Sequence, residues 1–226
     1  MVEKMNTNST QTSCKQCGIC CTNGGAALHL EDISLLQQGL IPLRDLITIR
    51  KGEFAHNPVS GKVQATNAEI VKLRGTGREW TCCYFDPATK GCTIYDNRPL
   101  ACGTLKCWDP TDSLKLVETD LLSRLDILRR NDLFQNMVRE YEECCPLPDF
   151  TTLAAKLVNT PQETIIILEK FVNRDLEFRS RAVAQSDTIL QEEMFLFGRP
   201  LFQLLQSFDL DYMQTGTGLS LRLRGK

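Results

Sequence analysis

Residues 14–21 read Cys14-Lys15-Gln16-Cys17-Gly18-Ile19-Cys20-Cys21, and the reading of that stretch decides what kind of fold surrounds it. A cysteine at every third position lets a loop or single turn wrap its thiolates around one centre. Cys21 is different in kind. In extended chain, neighbouring side chains project to opposite sides, so Cys20 and Cys21 are expected to point apart. Such a doublet suits two nearby sites, or one site and a packed thiol.

The chain has eleven cysteines in 226 residues. Nine lie between Cys14 and Cys107, and the other two are Cys144 and Cys145. The total is odd, and Met1 to Ser13 is polar, without the apolar stretch of a signal peptide. Clustered thiols in a reducing cytosol bind metal or do chemistry more often than they form disulfides. A net charge of −2 and a pI near 5.8 give no bulk pull toward nucleic acid or anionic membrane. No apolar run approaches the roughly 18 residues of a spanning helix, and Ile165 to Leu168 reads as a core segment. The expectation is a soluble cytoplasmic protein with neither nucleic acid nor membrane as partner.

The second part of the array is Cys83-Tyr84-Phe85, Cys92-Thr93-Ile94-Tyr95, Arg98-Pro99-Leu100-Ala101-Cys102 and Cys107. With the opening stretch, it resembles a bacterial and archaeal family of cysteine-cluster proteins named for the C-x-x-C-x-x-C-C motif and described as zinc- or iron-chelating. Cys14, Cys17, Cys20 and Cys21 match the opening of the family pattern. Cys83 and Phe85 match its C-x-F, residues 92–95 its C-x-I-Y, residues 98–102 its R-P-x-x-C, and Cys107 its closing cysteine. The resemblance implies eight metal ligands: Cys14, Cys17, Cys20, Cys21, Cys83, Cys92, Cys102 and Cys107. Cys82, Cys144 and Cys145 fall outside it. More distantly, the pattern is similar to that of flagellin lysine N-methylases.

Four thiolates complete a zinc site or a cubane, so eight fill two sites or one site with spares. The residues lean toward iron. A zinc ribbon has two C-x-x-C knuckles, whereas the second set here is spaced widely and irregularly. Histidine is limited to His29 and His56. The expected cofactor is one or two iron–sulfur clusters of the 4Fe-4S type, with zinc as the alternative. Arg98 is a candidate cofactor-binding residue, able to donate to cluster sulfides or thiolates; the competing reading pairs it with Asp96 or Asp109. His29 reads as a surface or core residue rather than a ligand.

The fold class expected is mainly α. An irregular cysteine-rich metal-binding region with little β structure (14–110) would follow a disordered N-terminus (1–13). A helical, bundle-like region (111–212) and a flexible tail (213–226) would complete the chain. Glu31 to Gln38 reads as a short helix and Lys62 to Leu73 as strands or irregular chain. From Thr111, apolar residues recur at helical spacing through Leu114, Val117, Leu121, Leu125 and Leu128, then Phe134 to Tyr141. Pro146 and Pro148 end that stretch. Thr160, Pro161 and Glu163 form a capping-box start to a second helix that turns Ile166, Leu168, Phe171, Val172 and Leu176 inward. A third helix spans Asp187 to Phe197 and a fourth Leu201 to Phe208.

No Walker sequence, dinucleotide loop or nucleophile elbow is present, nor the C-x-x-x-C-x-x-C spacing of radical adenosylmethionine enzymes. Three roles stay open: an accessory or cluster-carrying protein, a cluster-dependent modifying enzyme, and a zinc-stabilised module whose helical half binds a protein partner.

Overall fold

A computed structural model of the chain describes residues 11–128, 133–216 and 218–224. The expected disordered N-terminus therefore lies, in residues 1–10, outside the described residues, as does the final basic residue Lys226. Of the described residues, 46% are helical and 20% are in strands, the latter as five two-stranded antiparallel sheets. The expectation of a mainly α chain with little β structure is thus corrected. Residues 57–62 and 86–91, rich in Pro, Gly and Asn or Asp, close tight hairpins.

In chain order, α1 (Ile19–Thr22) and α2 (Ile33–Gln37) precede β1 (Leu46–Ile49), β2 (Phe54–Asn57), β3 (Lys62–Ala65) and β4 (Ile70–Leu73). β1 pairs with β4, Leu46 opposite Leu73 and Ile49 opposite Ile70, while β2 and β3 form a hairpin. Residues 26–28 add a third row to β4 through Leu28 N–H to Val71 O and Leu73 N–H to Ala26 O. Two two-residue ladders carry part of the second cysteine set: β5 (Gly75–Thr76) with β6 (Thr81–Cys82), and β7 (Phe85–Asp86) with β8 (Gly91–Cys92). The short helix α3 (Leu100–Thr104) follows.

The helical half begins with α4 (Thr111–Lys115) and α5 (Arg124–Ile127), which are not the one long helix that the periodicity of residues 114–128 predicts. Between them Glu118 and Asp120 take positive φ. The chain there pairs with the segment after the first cysteines, Leu30 N–H to Asp120 O at 2.8 Å and Leu122 N–H to Leu28 O at 3.0 Å. Tertiary pairing overrides helical spacing here.

α6 (Leu133–Cys144), α7 (Phe150–Asn159), α8 (Pro161–Val183), α9 (Asp187–Phe197) and α10 (Leu201–Leu205) follow. α7 starts on Asp149, whose carboxylate accepts Thr151 N–H. Pro161 does open α8, but the capping box is absent, because the Thr160 hydroxyl turns back to Lys156 O in α7. Ile166 is 54% and Ile167 46% exposed, so the expected core segment contributes Leu168 alone as a fully buried residue. The supposed tail also gains structure: β9 (Leu210–Thr215) and β10 (Gly218–Leu223) pair as a hairpin packed against α8, with Leu210 and Leu221 buried.

The larger core crosses the expected boundary at residue 110. Leu28, Leu46, Val71 and Leu73 meet Tyr141, Phe178 and Phe195 to Phe197 in one cluster, and Thr48 Oγ donates to Phe195 O at 2.6 Å. Buried arginines reinforce the junction. Arg124, 1% exposed, bridges Glu69 and Glu142 at 2.5 and 2.6 Å, and Arg50 takes Glu142 from the other side at 2.6 Å. A second core joins α7, α8, α10 and the β9–β10 hairpin.

Candidate metal centre

Cys20 and Cys21 lie in α1, not in extended chain, and their sulfurs stand 4.0 Å apart. The expectation that they point apart is therefore corrected. Successive residues of a helical turn are rotated by about 100°, which lets both thiols serve one neighbourhood. Gly18 makes the turn possible. Its φ is +74°, and a Cβ there would sit 2.2 Å from a Phe85 ring carbon and 2.7 Å from Lys90 O. The loop entering α1 is thus pressed onto the β7–β8 ladder that holds Cys92.

An inner group of five thiols results: Cys20 and Cys21 from α1, Cys82 from β6, Cys92 from β8 and Cys102 from α3. Burial pushes Cys21 up, and the nearby thiols of Cys20, Cys82 and Cys92 push it further. Burial followed by Cys82, Cys20 and Cys92 drives Cys102 up to about 12, and burial also raises Cys92. Cys82 moves the other way, drawn down to about 7 by a hydrogen bond from Cys83, against its burial and aided by Tyr84 N–H and Lys72. Cys83 interacts with Cys82 and stands 3.7 Å from the Asp45 carbonyl.

Cys14 and Cys17 are exposed and Cys107 half-buried. Gln11 reaches both Ser13 O at 3.0 Å and Cys107 Sγ at 3.6 Å, which places the start of the first motif beside the last cysteine. Cys144 and Cys145 end α6 within the core. Cys145 donates to Arg174 O at 3.7 Å, and its charged neighbours are Asp175, Arg50 and Arg179, with no cysteine of the array among them.

Two acidic residues set the frame. Buried Asp32 accepts His29 N–H at 2.9 Å and Leu100 N–H at 2.7 Å. Asp45 takes the Tyr84 hydroxyl at 2.7 Å, while its carbonyl accepts Arg74 N–H. His29 is 2% exposed and bonded through Nε2 to Leu116 O at 3.2 Å, a core residue as expected. Arg98 pairs with neither Asp96 nor Asp109 among the described residues. Its guanidinium stacks on Tyr95 at 3.6 Å, its buried Nε has no hydrogen-bond partner, and its charge favours the thiolates of Cys92 and Cys102.

Among the described residues, no three Cys, His, Asp or Glu side chains stand in ligating geometry. The donor chemistry still fits a metal. Burial and mutual repulsion make Cys21, Cys92 and Cys102 hold their protons until a cation binds, and an all-sulfur set suits zinc or iron–sulfur. Cys82, Asp32, Asp45 and the unpaired Nε of Arg98 were not legible in the sequence as parts of this site. The Cys82-Cys83 doublet was the one signal available.

A family model, CxxCxxCC, described as "Putative zinc- or iron-chelating domain", matches residues 13–146, more than half of the chain. It runs beyond Cys107 to include α4, α5 and α6. No curated protein and no solved structure matches.

Proposed function

Because this chain belongs to the CxxCxxCC family of zinc- or iron-chelating domains, we propose that it holds iron as a 4Fe-4S cluster on thiolates gathered around α1, and that it acts in the cytoplasm as an accessory or cluster-carrying protein. The carrying observation is the convergence of Cys20, Cys21, Cys92 and Cys102 from three separated stretches of chain into one electrostatic neighbourhood. Four thiolates are what a cubane takes. Cys14, Cys17 and Cys107 form an outer set that either supplies a second site or exchanges with the inner one. When bound, the cluster supplies electron transfer or a transferable iron–sulfur unit.

The residues around the thiols have separable tasks. Arg98 offsets thiolate charge and offers its Nε–H, which among the described residues has no other acceptor. Phe85 and Tyr95, both half-buried, keep water from the sulfurs. Asp32 and Asp45 fix the loops through backbone and hydroxyl bonds. A protein partner on the helical half is supported by Val158 of α7 and Ile166 and Ile167 of α8, which are 80%, 54% and 46% exposed.

The visible spectrum of protein purified without oxygen tests the proposal. A broad brown absorption that fades on reduction by dithionite supports it. A colourless protein carrying zinc overturns it.

A further inference from the structure

The β1–β4 sheet, extended by residues 26–28, has two faces of opposite character. Leu28, Leu46, Thr48, Val71 and Leu73 point into the main core and are essentially inaccessible. Strand alternation then sends Ala27, His29, Ile47, Ile49, Ile70 and Lys72 to the other face. That face is partly closed over, Ile47 and His29 being 3% and 2% exposed. It forms the floor of a cavity of about 580 Å³, walled by the β2–β3 hairpin, Trp80 and residues 113–118. Its volume falls in the range of small-molecule sites, and its lining mixes apolar residues with polar ones such as His56, Gln64 and Thr66.

Lys72 is the anomaly on that floor. Burial holds its ammonium below the ordinary lysine value, Arg199 adds to that effect, and the Cys82 thiol opposes it. Among the described residues it has neither a hydrogen bond nor an ion pair. The other charges around the cavity are already committed. Arg199 is locked to buried Glu53, and Glu118 receives Asn57 and Asn67 at 3.5 and 3.2 Å. Lys72 is only partly buried, so its ammonium stays accessible from the cavity to an entering anion. The Gly24 Cα lies close over it: a Cβ there would be 3.7 Å from Lys72 Nζ. The cavity also abuts the cysteine array, since Asn23, Gly24, Gly75 and Ala101 border it.

We propose that this cavity binds a small organic carboxylate, its apolar body on the isoleucine floor and its carboxylate on Lys72, beside the metal centre. The site does not depend on whether the metal is iron or zinc. An apolar ligand without charge would leave the ammonium unpaired, and a bare inorganic anion would leave the isoleucine floor wet.

Calorimetric titration of the full chain, purified anaerobically with its metal, tests this with octanoate, octan-1-ol and inorganic phosphate as probes. Octanoate should bind saturably and at least about tenfold more tightly than octanol or phosphate, because a charge-assisted hydrogen bond adds to the same apolar contact. Lys72→Met should remove that advantage while metal content and octanol binding stay as in the wild type. Equal affinity for octanoate and octanol overturns the proposal, as does phosphate binding as tightly as octanoate, or no saturable binding at all. If Lys72→Met loses its metal, Lys72 serves the thiols instead and the proposal fails. If that variant does not fold, the octanoate–octanol comparison on the wild type decides alone.

Discussion

The carboxylate of Asp32 accepts the backbone N–H of Leu100 at 2.7 Å, and this one bond ties the segment after Cys21 to the start of the helix that carries Cys102. Asp32 is 3% exposed and has a second donor in His29 N–H. A buried, satisfied carboxylate of this kind fixes geometry, because a lost partner leaves a costly unpaired acceptor. The thiol-bearing loops are therefore held near one another by protein bonds as well as by whatever they ligate.

Metal removal should accordingly loosen a narrower region than the whole chain before residue 110. Residues 13–25 and 75–108 have few fully buried apolar side chains, whereas residues 28–73 share the main core with α6, α8 and α9. Hydrogen exchange on metal-free and metal-loaded protein should show protection lost in the first two stretches and kept in β1, β4 and α9. Equal loss across all of them would mean that the core itself depends on the metal.

Cys82 and Cys83 should not be equivalent. Cys82 is buried and raises Cys21, Cys92 and Cys102, while Cys83 turns to the Asp45 carbonyl. Replacing Cys82 by Ser should weaken metal retention against a competing chelator by about tenfold or more, the loss expected even of a group that only supports a ligand. Cys83→Ser should cost less. The reverse order would return the C-x-F cysteine to the ligand set and make Cys82 the spare thiol, as the sequence alone implies.

Arg98→Gln should speed metal release to a chelator about tenfold while leaving the unfolding midpoint of the rest of the chain nearly unchanged. Its charge reaches Cys92 and Cys102, yet it makes no ion pair among the described residues whose loss would destabilise the fold. Arg98→Lys keeps the charge but loses the flat stack on Tyr95 and should fall between the two. Unchanged release in Arg98→Gln would reduce the arginine to a packing role.

Arg124→Met tests the junction instead. It would leave Glu69 and Glu142, 22% and 39% exposed, facing a neutral side chain in place of a guanidinium that is 1% exposed. Because solvent reaches both carboxylates, losing these charge-assisted hydrogen bonds costs about 2–3 kcal/mol, which urea unfolding measures directly. The accompanying change in metal affinity should be small, since none of these three residues approaches the thiols. A loss below about 1 kcal/mol would show that Arg50 alone holds Glu142 and the junction.

What the sequence made legible follows from how local each signal is. The α9 bounds, Asp187 to Phe197, are set by a Ser186 cap and a following glycine, both readable in one window. The α2 region and the strands of residues 62–73 were similarly local. The break of the 114–128 periodicity was not, because it depends on backbone pairing with Leu28 and Leu30 some ninety residues earlier in the chain. Nor was the β9–β10 hairpin, whose Leu219 N–H is caught by the Asn173 side chain of α8. At the site, the cysteine spacing was plain, but the conformation of Cys20-Cys21 was not. Four residues are too few to mark a helical turn, and only the packing of Gly18 on Phe85 and Lys90 reveals why one forms.

The central claim is that these thiols hold iron as a cubane. Its most direct measurement is iron, zinc and acid-labile sulfide per chain in full-length protein purified without oxygen, compared with Cys21→Ser. The claim predicts about four irons and four sulfides for each site filled, and a loss of at least about four of each in the variant. Stoichiometric zinc without sulfide, after anaerobic growth with ample iron, would contradict it.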